Sequence, residues 1–185
     1  TTTIETTSTD IPTIGTTTIE TTSGRFGHRP DPQRVISAIR SRSFATLASV
    51  SAAGRPHAAG VLYELVGTHV YVSTLRSSRK ARNVAGSGHV GATIPIRRLP
   101  IGPPSTVQFQ ATAEVLDNED TTIAALVADG HLASITGHGE LDLPDGCFLR
   151  IALPRRLFTY GLGMSLWSLI RDPLGASGVV DVEPA

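Results

Sequence analysis

The chain has 185 residues, of which 40% are hydrophobic, 5% aromatic and 17% charged, with 16 Lys+Arg against 16 Asp+Glu. That length supports one substantial core plus a tail, and a zero formal net charge removes any global field that would draw in nucleic acid or an anionic membrane. The single cysteine, Cys147, excludes an intrachain disulfide and any cysteine-built zinc or iron–sulfur site, and is compatible with a reducing cytoplasm, the expected compartment.

The N-terminal stretch opens on TTTIETTS, which recurs at 16–23. Such a Thr-rich, nearly aromatic-free segment has little to bury, so residues 1–29 are expected to form an extended or disordered tail. It has neither the basic n-region nor the apolar core of a secretory signal, and no apolar run in the chain approaches the roughly 20 residues that span a bilayer. A barrel domain is expected over 30–163, with 164–185 as a C-terminal extension.

Asp31 before Pro32 reads as the N-cap and first turn of a short helix, with Val35, Ile36 and Ile39 as its apolar stripe. Three strands follow at about 43–50, 57–65 and 69–75, joined by turns at SAAGRP and VGT. Connections this short require antiparallel neighbours. SSRKARNVAG is a helix ended by glycine, with Gly86 and Gly88 as C-cap and turn, and VGATIPI is the next strand. Beyond the Pro-rich loop IRRLPIGPPS, TVQFQATAEVL makes a long strand at about 106–116 and NEDTTIAALVAD a capped helix. GHLASITGHGELDLPDG reads as a long loop, and CFLRIALPRRLFTYG as two closing strands with Pro154 between them. Six or seven antiparallel strands with a few short helices specify a mainly β fold, a small closed barrel that leaves no free sheet edge.

Several motifs fail on context. GSGHVG at 86–91 matches GxGxxG in letters, but a dinucleotide fingerprint follows a strand and opens a helix, whereas this one closes a helix and opens a strand. The histidines, His28, His57, His69, His89, His131 and His138, form no i, i+4 helical pair and sit beside no carboxylate at ligand spacing, so no metal site is expected. Ser165 in GLGMSLW lacks the glycine that follows the serine of a nucleophile elbow.

The stretch VYVSTLRSSRKARNV carries more. A basic run such as Arg76, Arg79, Lys80 and Arg82 is ordinarily a solvated helix face. Here Ser73, Thr74, Ser77 and Ser78 place hydroxyl donors just before Arg79 and Lys80, and the unbonded amides of the first helical turn point the same way. Hydroxyls, helix-start amides, an Arg fork and a Lys point charge are the parts that hold a phosphate, each charge-assisted bond contributing about 1.5–3 kcal/mol.

At these residues the sequence resembles the FMN-binding split barrels of the pyridoxamine 5'-phosphate oxidase-like superfamily. Ser78-Arg79-Lys80-Ala81 matches the flavin-phosphate motif of that group, and the likeness runs over about residues 31–162. GRPHAAGVLY, SRKARNV and FTYGLGM are similar to the flavin/deazaflavin oxidoreductase branch, whose members often use the deazaflavin coenzyme F420. The resemblance implies F420, or FMN as the alternative, held on its phosphate side by Ser73, Thr74, Ser78, Arg79, Lys80 and Asn83. It implies that His57, Ala59 and Val61, alternating along one strand face, lie along the ring system, with Thr106 facing it from the long strand. It also implies a homodimer with the cofactor at the interface, and Leu62, Val72 and Phe109 are expected to supply much of the contact. The expected activity is hydride transfer between the reduced cofactor and a small organic substrate, with Tyr63 and Tyr160 as candidate proton donors and no residue required as a general acid. The C-terminal LWSLIRDPLGASGVVDVEPA lacks the Arg-Leu-rich substrate motif of true pyridoxamine phosphate oxidases, which argues against vitamin B6 as substrate. A carrier that holds a cofactor, haem or lipid on the same barrel without turnover is the alternative.

Overall fold

The computed structural model describes residues 29–96 and 105–183. The tail expected at 1–29 lies outside the described residues except for Arg29, as do positions 97–104 of the Pro-rich loop.

Helix α1 (Pro32–Arg40) starts where its capping residues direct: the Asp31 carboxylate accepts from the Gln33 amide at 3.0 Å, and Val35 and Ile39 are buried. Strands β1 (Phe44–Val50), β2 (Pro56–Leu62), β3 (Glu64–Val66) and β4 (His69–Leu75) lead into α2 (Arg79–Ser87). Next come β5 (His89–Ile96), β6 (Ser105–Asp117), α3 (Thr121–Ala128) and α4 (Ala133–Thr136), then β7 (Gly146–Ala152), β8 (Arg156–Tyr160), α5 (Leu166–Arg171) and β9 (Ser177–Asp181). Neighbours run antiparallel in the order β2-β1-β5-β6-β7-β4-β3, with β8 paired to β6 and β9 to β8. The fold is the expected mainly β antiparallel split barrel with a few short helices. The sheet does not close as expected: among the described residues β2 pairs only with β1, β3 only with β4 and β9 only with β8, so these strands leave free edges. Strand β6 divides it, pairing with β5 and β8 through its first half and with β7 over Ala113–Asp117.

Among the described residues there are nine strands where six or seven were expected. The run at 57–65 is interrupted at Tyr63, whose ring is fully buried and whose hydroxyl donates to the Ile39 carbonyl at 2.7 Å, so β2 and β3 are separate. The segment expected as an extension contributes β9, and it puts Val180 of that strand and Val182 just after it into the main core. The long loop after α3 also contains structure: α4 and a 3-10 turn at Glu140–Asp142. Leu132 and Ile135 there join Ile123, Tyr71 and Phe148 in a second core.

Period-two alternation builds the main core. Ala45 and Leu47 of β1, Val90, Ala92, Ile94 and Ile96 of β5, and Val107 and Phe109 of β6 all point inward. Helix α2 lies across β1, β2 and β6 and buries Ala81 and Val84. It runs through Gly86, expected as a cap or turn, and stops at Gly88, whose φ of +66° lets its amide donate to the Val84 carbonyl at 2.8 Å. Val72 and Phe109, expected at a subunit contact, are only 1% and 3% exposed and fill the barrel. Leu62 points outward at 54% exposure, and Phe44, Val50 and Phe158 are exposed too. No helix among the described residues is long and apolar enough to cross a membrane.

Candidate functional site

The site is the turn from β4 into α2. The Ser78 amide donates to the Leu75 carbonyl at 3.0 Å and closes the turn. Ser78 then caps α2: its Oγ accepts from the Ala81 amide at 3.3 Å and sits 3.3 Å from Thr74 Oγ1. An α-helix leaves its first-turn amides without intrahelical acceptors, and those of Arg79 and Lys80 are the first two of α2. Among the described residues, no carboxylate pairs with Arg79, Lys80 or Arg82. An uncompensated Arg and Lys at a helix start, flanked by hydroxyls, form a ready anion site.

Arg76, the first cation of the run, is committed elsewhere, because its guanidinium pairs with the Asp117 carboxylate at the end of β6. The turn is also tied to Asp145: the Arg76 amide donates to its carbonyl at 2.8 Å and the Ser77 amide to its Oδ2 at 3.0 Å. The Ser77 hydroxyl and then the Ser77 amide hold the Asp145 carboxyl below the usual carboxylate range, with Arg76 contributing and desolvation opposing.

The remaining expected site residues separate by face. Asn83, 9% exposed, directs Nδ2 to the Ser49 hydroxyl at 3.0 Å and so pins α2 to β1. The β1–β2 register sets His57 opposite Ser49, Ala59 opposite Leu47 and Val61 opposite Ala45, so His57, Ala59 and Val61 share the face that Asn83 reaches. Val61 is buried in the core, whereas His57 and Ala59 are half-buried. Thr74 shares a strand face with core residue Val72 and contacts Ser78. Ser73 points the other way, with Tyr71, toward the second core. Thr106 alternates with buried Val107 and so lies on the outer surface, paired with Pro95 and Tyr160. Within one chain, Thr74, Ser78, Arg79, Lys80, Asn83 and His57 therefore belong to one region, and Ser73 and Thr106 do not.

Tyr63 is withdrawn from proton transfer by its bond to Ile39, and burial pushes its phenol well above the usual range. Tyr160 is half-buried beside Thr106. Sequence reasoning missed Ser49, Asp117 and Asp145. Ser49 had a signal, as a polar residue at an inward position of the alternating strand FATLASV. The two aspartates, 41 and 68 positions from their partners, had none.

The fold is that of a split-barrel protein, and the helix start at Arg79 and Lys80 is its candidate anion site. The pyridoxamine 5'-phosphate oxidase family model matches residues 32–153, well over half the chain, and the protein belongs to that family. Among solved structures it is similar to HutZ, the haem storage protein of Vibrio cholerae, with a TM-score of 0.63 and 20% identity over 74% of this chain and 98% of that one. A haem-binding protein from Mycobacterium smegmatis gives 0.63 and 20% over 83% of this chain and 59% of that chain. A FAD-binding protein from Mesorhizobium loti gives 0.56 and 15% over 69% and 92%. At these identities the likeness is one of fold. No curated protein matches the sequence.

Proposed function

We propose that this protein is a flavin- or deazaflavin-dependent oxidoreductase that transfers hydride between reduced F420, or FMN, and a small organic substrate. The observation that carries this reading is the helix start at Arg79 and Lys80, with no carboxylate partner among the described residues and with the Ser78 and Thr74 hydroxyls beside it. This donor set fits the phosphate group common to both cofactors. The bound cofactor supplies the hydride chemistry, while the protein binds the phosphate, orients the ring and excludes water. His57 and Ala59 flank the ring side of the pocket, and Asn83 holds α2 at a fixed distance from them through Ser49.

The reading includes a homodimer. Small barrels are filled by their own side chains, as Val72 and Phe109 fill this one, so a tricyclic ring lies in an outer cleft. Thr106 and Tyr160 lie on the outer face together with exposed Phe44, Val50, Leu62 and Phe158. A second copy across a twofold axis covers that apolar face and brings its outer residues to the first copy's anion site.

The test is equilibrium titration with F420 and with FMN, followed by fluorescence. Lys80→Ala is expected to weaken binding by about 1.5–3 kcal/mol, roughly 10- to 150-fold, with an unchanged melting temperature. An unchanged Kd would return the basic run to a solvated helix face. The second reading, a haem carrier without turnover, draws on the fold shared with the two haem-named structures. A Soret band on adding hemin, with no binding of FMN or F420, selects it.

A further inference from the structure

The two residues before Ser78, Arg76 and Ser77, are held by Asp117 at the end of β6 and by Asp145 in the turn before β7. Asp117 takes the Arg76 guanidinium, and Asp145 takes the Arg76 amide through its carbonyl and the Ser77 amide through its carboxylate. The placement follows from strand register: the β4–β7 ladder ends at Leu75 opposite Gly146, so Asp145 stands against the first residues of the turn. Ser78, next in the chain, caps α2 and begins the anion site. A negative charge next to a phosphate pocket opposes anion binding, so the role of Asp145 there must outweigh its charge. Its carboxylate is engaged by the Ser77 donors, with Arg76 contributing less.

We propose that Asp145 is a positioning residue for the anion site: its side-chain oxygen clamps Ser77 and thereby aims the Ser78–Lys80 helix start, while Arg76, bound to Asp117, is a strut and not an anion ligand. The inference rests on the proposed reading of the site as a cofactor-phosphate pocket. The clamp needs an acceptor and not a charge. Asparagine at this position keeps an oxygen for the Ser77 amide and removes the adverse charge, whereas alanine removes both.

Titration of wild type, Asp145→Ala and Asp145→Asn with FMN, F420 and riboflavin, which has the ring but no phosphate, tests the clamp. Asp145→Ala is expected to weaken FMN or F420 binding by about 10-fold and to leave riboflavin within about twofold. Asp145→Asn is expected to bind the phosphorylated ligands as tightly as wild type or more tightly. Wild-type affinity in the alanine variant, equal losses for FMN and riboflavin, or equal losses in the alanine and asparagine variants would each overturn the inference. If the alanine variant does not fold, the asparagine variant decides: a loss of more than about threefold for phosphorylated ligand sinks the clamp. Lys80→Ala separates the two levels, because an unchanged Kd there rejects the phosphate pocket itself. A loss at Lys80 with none at Asp145 rejects the clamp alone. If wild type binds neither FMN nor F420, both fall.

Discussion

Tyr63 shows how one side chain can interrupt a strand and leave the chemistry at the same time. Its ring occupies the core where β2 would run on into β3, and its hydroxyl donates to the Ile39 carbonyl at the end of α1. Tyr63→Phe keeps the ring and leaves that carbonyl unpaired, so denaturant titration is expected to show a loss of about 1–2 kcal/mol with cofactor affinity unchanged. A loss of affinity would return Tyr63 to the site. Thr159 is the opposite case, a buried hydroxyl on β8 with no hydrogen-bond partner among the described residues. Thr159→Val removes an unsatisfied polar atom at nearly constant volume, and the unfolding midpoint is expected to rise by about 1 kcal/mol of stability. A fall would show that the hydroxyl is used.

At the scale of elements, the two ends of α2 have different duties. In the proposed reading its start offers amides and cations to a ligand, and its end fixes where β5 begins. Gly88 adopts a left-handed conformation, and a Cβ there would meet only the Ala113 carbonyl oxygen at 3.9 Å, so the strain of Gly88→Ala lies in the backbone. Calorimetry is expected to show a loss of about 1 kcal/mol. The final element matters more. β9 pairs with β8 and carries Val180 into the core, Val182 just beyond it does the same, and α5 buries Leu169. Ending the chain at Gly163 removes these groups. Each buried aliphatic side chain contributes about 1.5–3 kcal/mol, so the shortened barrel is expected to melt far below wild type or not to fold. An unaltered melting temperature would show that β9 is only an appendage.

For the whole molecule, the outer apolar face predicts assembly. Leu62 and Phe44 are exposed and directly opposite each other across β1 and β2, and exposed Val50 lies at the far end of β1, opposite Pro56. A specific interface there needs more than about 1,000 Å² of buried surface. Sedimentation with cofactor present is expected to show a species of twice 19.5 kDa. Leu62→Lys is expected to dissociate it without lowering the melting temperature of the barrel, because Leu62 is exposed in the single chain. A wild-type species of 19.5 kDa would reject the shared-site arrangement.

Local physics made much of this protein legible from its residues. The Asp31–Pro32 helix start, the Ser78 cap and the Gly88 stop are short-range hydrogen-bonding and backbone effects. The strands follow from period-two alternation, and their antiparallel sense follows from turns too short for a crossover. The hydroxyl-flanked basic helix start was readable for the same reason, since Ser78, Arg79 and Lys80 are consecutive. Register and facing were not. Which surface carries Thr106, whether Val72 fills the barrel or a dimer contact, and where Asn83 points depend on pairings between distant strands. The same holds for Arg76, whose guanidinium pairs with Asp117, 41 residues away. Such contacts are selected by the burial of the entire barrel, because shifting a strand by one residue exchanges its two faces, and no local preference determines that choice.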